Sequence, residues 1–118
     1  MMVILVVDDE MPICELLREF LSQMGHQVIT ASSGEQGIEK LRENRPEALF
    51  LDIRMPGMNG IDVLRKIRDT DKDLSIIMLS GFGDYSTVQQ AYKTGANHYV
   101  QKPIELDHVI KILDIIEN

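Results

Sequence analysis

A chain of 118 residues, 44% hydrophobic and 26% charged, has the size and make-up of one globular domain with a single core. No apolar run approaches the roughly 20 residues of a membrane span, the N-terminus lacks the leading positive charge and cleavage site of a secretory signal, and the single Cys14 excludes an internal disulfide, so a cytoplasmic protein is expected. A net charge of −7 without a basic stripe, together with the absence of tryptophan, argues against direct nucleic-acid binding.

The predicted elements alternate along the chain. Val3–Val7 is an unbroken apolar run rich in β-branched residues, as expected of a strand covered on both faces. Behind it Ile13, Leu16, Leu17, Phe20, Leu21 and Met24 recur at helical spacing until Gly25 stops the helix. Cys14 within it reads as a small buried apolar residue rather than a reactive thiol. Gln27–Ala31 forms a second strand, and Ser33 with Gln36 makes a capping box for a helix running to about Asn44, ahead of Pro46. A third strand covers 48–51. A loop with Pro56, Gly57 and Gly60 follows, and a helix over 60–69 sets Ile61, Leu64 and Ile67 on one face. A fourth strand covers 75–79 and 80–84 is a loop. A weakly apolar helix then carries Val88, Ala91 and Tyr92 and ends at Gly95. A short fifth strand at 98–100 precedes a last helix with Leu106, Val109, Ile110 and Leu113 on one face. Strands alternating with helices in this way predict an α/β fold of the flavodoxin-like type: a parallel sheet in the order 2-1-3-4-5, covered on both faces, with residues 1–118 as one domain.

In such a sheet, ligands gather at the carboxyl ends of the strands. There the sequence places Asp8, Asp9 and Glu10 after the first strand, Asp52 after the third, Ser80 after the fourth and Lys102 after the fifth, followed by Pro103. Like charges about 4 Å apart repel by about 4 kcal/mol at an effective dielectric near 20. Asp8, Asp9 and Asp52 therefore need a counter-charge that Lys102 supplies only in part, and a hard divalent ion such as magnesium or manganese suits their oxygen atoms. Asp8 and Asp9 alone read equally well as capping residues of the helix that follows, but capping accounts for neither Asp52 nor Lys102. Ser80 and Lys102 taken singly are weak signals, since serine is common in loops and most lysines are solvated.

Four motifs together carry a family resemblance: Val7-Asp8-Asp9-Glu10, Leu51-Asp52-Ile53-Arg54-Met55-Pro56-Gly57-Met58-Asn59-Gly60, Ser80-Gly81-Phe82-Gly83-Asp84 and Tyr99-Val100-Gln101-Lys102-Pro103. In this order the chain resembles the CheY-like response regulator receiver domains of two-component signalling, over essentially its whole length. The resemblance implies that Asp52 accepts a phosphoryl group from a sensor histidine kinase, a phosphotransfer protein or a small phosphodonor. It implies a Mg2+ ion held by Asp9 directly, by Asp8 mostly through water, by Asp52 and by the backbone carbonyl of Arg54. Ser80 would donate to a phosphoryl oxygen, Lys102 would pair with Asp52 or the phosphoryl group, and Tyr99 would change rotamer on activation. The bond before Pro103 would be cis, and Arg54 and Phe82 would sit where dephosphorylation rates are set. Such a chain is a signalling switch rather than an enzyme, acting only on its own phosphoryl group. It would signal to an effector or output domain through the face of the fourth helix, fifth strand and fifth helix, with a homodimer on phosphorylation as a further expectation. On spacing alone Tyr99 reads also as a plain core tyrosine.

The chemistry is consistent with the residues themselves. Phosphoryl transfer asks a protein for positioning and charge stabilisation, which a metal, an ammonium, a hydroxyl and loop amides provide. The resulting mixed anhydride is labile, and Gly81 and Gly83 make the neighbouring loop deformable. Rival readings fit less well. A haloacid dehalogenase has a second aspartate two residues after the nucleophile, where this chain has Arg54. A flavodoxin cradles a phosphate that Asp8, Asp9 and Glu10 would repel. A degenerate receiver, acting only as an interaction module, would lack some of the side chains that are all present here. A receiver cut from a longer transcriptional regulator or hybrid kinase stays open, the Ser-Gly-Phe-Gly-Asp loop resembling receivers attached to transcriptional activators.

Overall fold

The computed structural model describes residues 1–81 and 83–118, so the expectation attached to Phe82 lies outside the described residues. Strands and helices alternate as β1 (Val3–Val7), α1 (Met11–Gln23), β2 (Gln27–Ala31), α2 (Gly34–Asn44), β3 (Ala48–Asp52), α3 (Gly60–Thr70), β4 (Ser75–Ser80), α4 (Tyr85–Thr94), β5 (His98–Gln101) and α5 (Leu106–Glu117). All pairings are parallel, in the flavodoxin-like order β2-β1-β3-β4-β5. No helix of the described residues is long and apolar enough to cross a membrane.

The two-residue period of the strands divides the core into two layers. Leu5, Val7, Leu49, Leu51, Ile76 and Met78 meet Leu64 and Ile67 of α3 and Ala91 of α4 on one face. Ile4, Val6, Phe50, Ile77, Leu79 and Val100 meet Leu17 and Leu21 of α1 and Val109 and Leu113 of α5 on the other. Burying a side chain of this kind stabilises by about 1.5–3 kcal/mol relative to leaving it in water. The change of face between α1 and α2 opens a crevice at the carboxyl ends of β1 and β3.

Local signals act as expected. Ser33 Oγ accepts from the Gln36 amide at 3.2 Å and Gln36 Oε1 accepts from the Ser32 amide at 2.6 Å, which closes the capping box one residue early. Asn59 caps α3 by accepting from the Asp62 amide at 3.0 Å, a signal the sequence reading passed over. The buried stripe of α1 is centred on Leu17, which leaves Leu16 and Met24 exposed rather than in the core. Three strands run one residue further than their apolar runs: Asp52 pairs with Leu79 and Ser80 with Gln101, because a polar side chain at a ladder end keeps its backbone bonds.

Gly60 closes the loop behind β3. Its amide donates to the Ile53 carbonyl at 2.9 Å, and a Cβ there would meet the Asp52 carbonyl oxygen at 2.1 Å. Gly60→Ala is expected to cost about 3 kcal/mol, since neither backbone can give way. Urea unfolding checks this, and a loss under about 1 kcal/mol would contradict so close an approach.

Candidate functional site

Strand register builds the site. Val7 pairs with Leu51, so Asp8 and Asp52 stand side by side where β1 and β3 end. Ser80 and Gln101 close the β4–β5 ladder, so Lys102 emerges one step beyond it, its amide donating to the Ser80 carbonyl at 2.7 Å. The Lys102–Pro103 bond is cis, as the resemblance implies.

Asp8 and Asp52 are 1% and 4% exposed. Their carboxylates converge with that of Glu10, one oxygen from each lying within 4.8 Å of the others. Lys102 Nζ faces all of them, at 2.9 Å from Asp8 Oδ2, 2.7 Å from Glu10 Oε1 and 3.6 Å from Asp52 Oδ1. Asp9 is exposed and stands outside the converging trio. Glu10 occupies that place because the Lys102 ammonium draws it in. From sequence Glu10 stands at the strand end with no role assigned, its charge beside Asp8 being the available signal. The capping alternative for Asp8 and Asp9 does not hold: Glu10 is the N-cap of α1 and makes no side-chain cap, while Asp8 Oδ1 accepts from the Glu10 amide at 2.8 Å.

Burial, then the charge of Asp8, pushes the Asp52 carboxyl from its ordinary 3.8 up to about 7, against the pull of Lys102 and the Arg54 amide. Burial alone would lower the Lys102 ammonium, but the hydrogen bond to Glu10 and then the negative side chains of Asp8 and Asp52 beside it carry it above its ordinary value. The site therefore holds more negative charge than one lysine can answer. Asp8 Oδ2 is buried and receives no directed hydrogen bond, although the ammonium lies beside it. A free lone pair on a hard oxygen, set among other carboxylates, suits a divalent ion such as magnesium.

The remaining residues lie around this cluster. Ser80 is buried and lines a cavity of about 190 Å³ that reaches Tyr99 by way of Gly81, Asp84 and Val88. Tyr99 is 40% exposed, its ring set edge-on against Tyr92 at 6.2 Å, so the core reading of this tyrosine does not hold. The Arg54 amide donates to Asp52 Oδ1 at 3.2 Å while its guanidinium pairs with Asp84. Cys14 is buried and its thiol donates to the Asp8 carbonyl at 3.3 Å; burial, then the charge of Asp8, raises its pKa, which leaves it inert.

Comparison with known proteins gives a consistent result. A model of the response regulator receiver domain matches residues 4–114. The transcriptional regulatory protein AfsQ1 of Streptomyces coelicolor is 41% identical over 102 residues; the match takes in 86% of this chain but only 45% of that protein, so the chain spans about half the length of this relative. The sporulation initiation phosphotransferase F of Bacillus subtilis is 31% identical over 106 residues, covering 90% of this chain and 86% of the relative. The crystal structure of the receiver domain of NtrX from Brucella abortus superposes with a TM-score of 0.91 at 32% identity, over 96% of both chains.

Proposed function

The chain belongs to the response regulator receiver domain family, whose members are signalling switches, and on that premise we propose that Asp52 is its phosphoacceptor. The observation that carries this is the meeting of buried Asp8 and Asp52 under one lysine at adjacent strand ends. One Asp52 oxygen attacks phosphorus in line. The bond from phosphorus to the donor, an imidazole nitrogen of a histidine kinase or an oxygen of a small phosphodonor, breaks as the new P–O bond forms. The donor leaves with the electron pair and is protonated from water. Lys102 neutralises the phosphoryl oxygens and the Ser80 hydroxyl donates to one of them. Asp8, Asp9, Asp52 and the Arg54 carbonyl would hold magnesium, with Glu10 as a further oxygen donor, and the ion would supply positive charge at the transferring group.

The source of the phosphoryl group is a sensor histidine kinase or phosphotransfer protein. The output face is α4, β5 and α5, where Tyr85, Tyr92 and Tyr99 are exposed, and it serves an effector, an output domain or a second copy of the chain. A net charge of −7 suits protein partners in the cytoplasm better than nucleic acid. Intact-mass measurement tests the assignment. With magnesium and a small acyl phosphate, the wild type should gain one phosphoryl group and Asp52→Asn none; an unmodified wild type or a modified variant would refute it.

A further inference from the structure

The core layer beneath α2, α3 and α4 is not fully closed. Five apolar side chains at its margin stay half-buried, and three of them, Ile38, Leu41 and Met58, line one groove between α2 and α3. Buried Ile67 forms its floor. A second cavity continues the groove past Leu41, Arg42 and Thr70 to Arg45 and Pro46. The two hold about 290 and 630 Å³. Since α3 packs against both α2 and α4, the groove lies on the far side of α3 from the output face.

Charge sets this groove apart. The chain carries −7 overall, yet Arg42, Arg45 and Lys66 stand exposed along it. Among the described residues none of the three takes part in an ion pair. Two carboxylates sit at the ends. Asp71 Oδ1 already accepts from the Asp73 and Leu74 amides at 2.9 and 3.0 Å. Glu35 lies in the first turn of α2, where the helix dipole favours it. Arg45 adds an independent sign. It ends α2 in the left-handed region, at φ 47°, and is the only non-glycine residue so placed among the described residues. Glycine or asparagine adopts that conformation with less strain. An arginine held there, unpaired within the fold, points to a use for its charge outside the fold.

We propose that the α2–α3 groove docks an acidic amphipathic helix of a partner protein. The floor takes apolar side chains spaced at i, i+3 or i+4 and i+7, and the three cations meet the carboxylates that flank them. The groove is walled by two helices and offers no strand edge, so a helix fits it better than an extended segment. The 11 residues of α2 span about 16 Å, room for about three turns of the occupant. A lipid surface is the poorer match. Anionic headgroups repel a chain of −7, and the apolar side chains here are recessed. Docking needs neither metal nor a phosphoryl group, so it stands apart from the reading of Asp52.

The test uses the 15N-labelled chain and two synthetic helical peptides of about 14 residues. Both carry leucine at i, i+4, i+7 and i+11; the remaining positions are mostly glutamate in one and lysine in the other. At low ionic strength the glutamate peptide should shift amides within residues 38–45 and 66–70. It should bind at least about tenfold more tightly than the lysine peptide, and about 1 M salt should remove most of that difference. Lys66→Glu should weaken binding at least about fivefold. Arg45→Gly should weaken it about threefold while melting no lower than the wild type, because glycine relieves the left-handed strain. That separates lost docking from lost fold. A lower melting point for Arg45→Gly would show that the arginine supports the fold, and would overturn its part in docking. Shifts centred on α4, β5 and α5, equal binding of the two peptides, no binding by either, or variants that bind like the wild type would each overturn the site. Vesicles of mixed phosphatidylcholine and phosphatidylserine that reproduce the same shifts would assign the groove to a lipid surface instead.

Discussion

In metal-free buffer at pH 8, Asp52→Asn should melt about 10 °C higher than the wild type. Burial and the neighbouring Asp8 charge raise the folded-state Asp52 carboxyl from 3.8 to about 7. Between these two values the folded chain binds a proton that the unfolded chain has already released. The contribution is therefore present below about pH 4 and is lost as pH rises through about 7. At 1.36 kcal/mol for each pKa unit the gap is worth at most about 4 kcal/mol. That figure already contains the pull of Lys102; the buried amide that asparagine leaves in its place brings the net gain to about 2 kcal/mol, and a domain of this size moves about 5 °C per kcal/mol. The difference between variant and wild type should shrink towards pH 4 and also with saturating magnesium, since a ligand bound only by the folded wild type stabilises it by about 2.7 kcal/mol at 100 times Kd. Calorimetry across pH 4 to 8 reads both trends. A variant that melts lower at pH 8 would show that Asp52 is not strained by its surroundings.

Lys102→Met should be the most damaging single change at the site. One ammonium stands between Asp8, Glu10 and Asp52, and without it two buried carboxylates face each other with no cation. Removing one partner of a buried charge cluster costs about 3–5 kcal/mol. Protonation of Asp52 softens this to about 3 kcal/mol, a fall of about 15 °C without metal. The double variant Lys102→Met/Asp52→Asn should recover at least half of that loss, because the two changes act on one cluster and are not additive. Magnesium should restore part of it as well. A loss below about 1 kcal/mol, or strict additivity in the double variant, would mean that the lysine is merely solvated beside the site.

Most of the fold was legible because strand and helix periods in this chain are unmixed. Val3–Val7 offers no helical stripe, and the apolar residues of α3 offer no alternation. Asp52, Lys102 and Asp8 were legible because the parallel topology itself dictates which residues meet. Glu10 and Asp84 were not. A glutamate at a helix start and an aspartate in a glycine-rich loop are common enough to be unremarkable, and their roles depend on where the tips of Lys102 and Arg54 come to rest. Arg68 escaped notice for the same reason: its guanidinium reaches the end of α4 only because Gly95 has no side chain in its way.

The ladder carries Asp52 as its final rung rather than as a loop residue. Backbone that is paired with β4 and buried moves little. The nucleophile is thus held fast, while Lys102 and Arg54 lie one and two residues beyond their strand ends. Any donor docking at this edge, whatever its size, finds a stationary target and has only its own orientation to arrange.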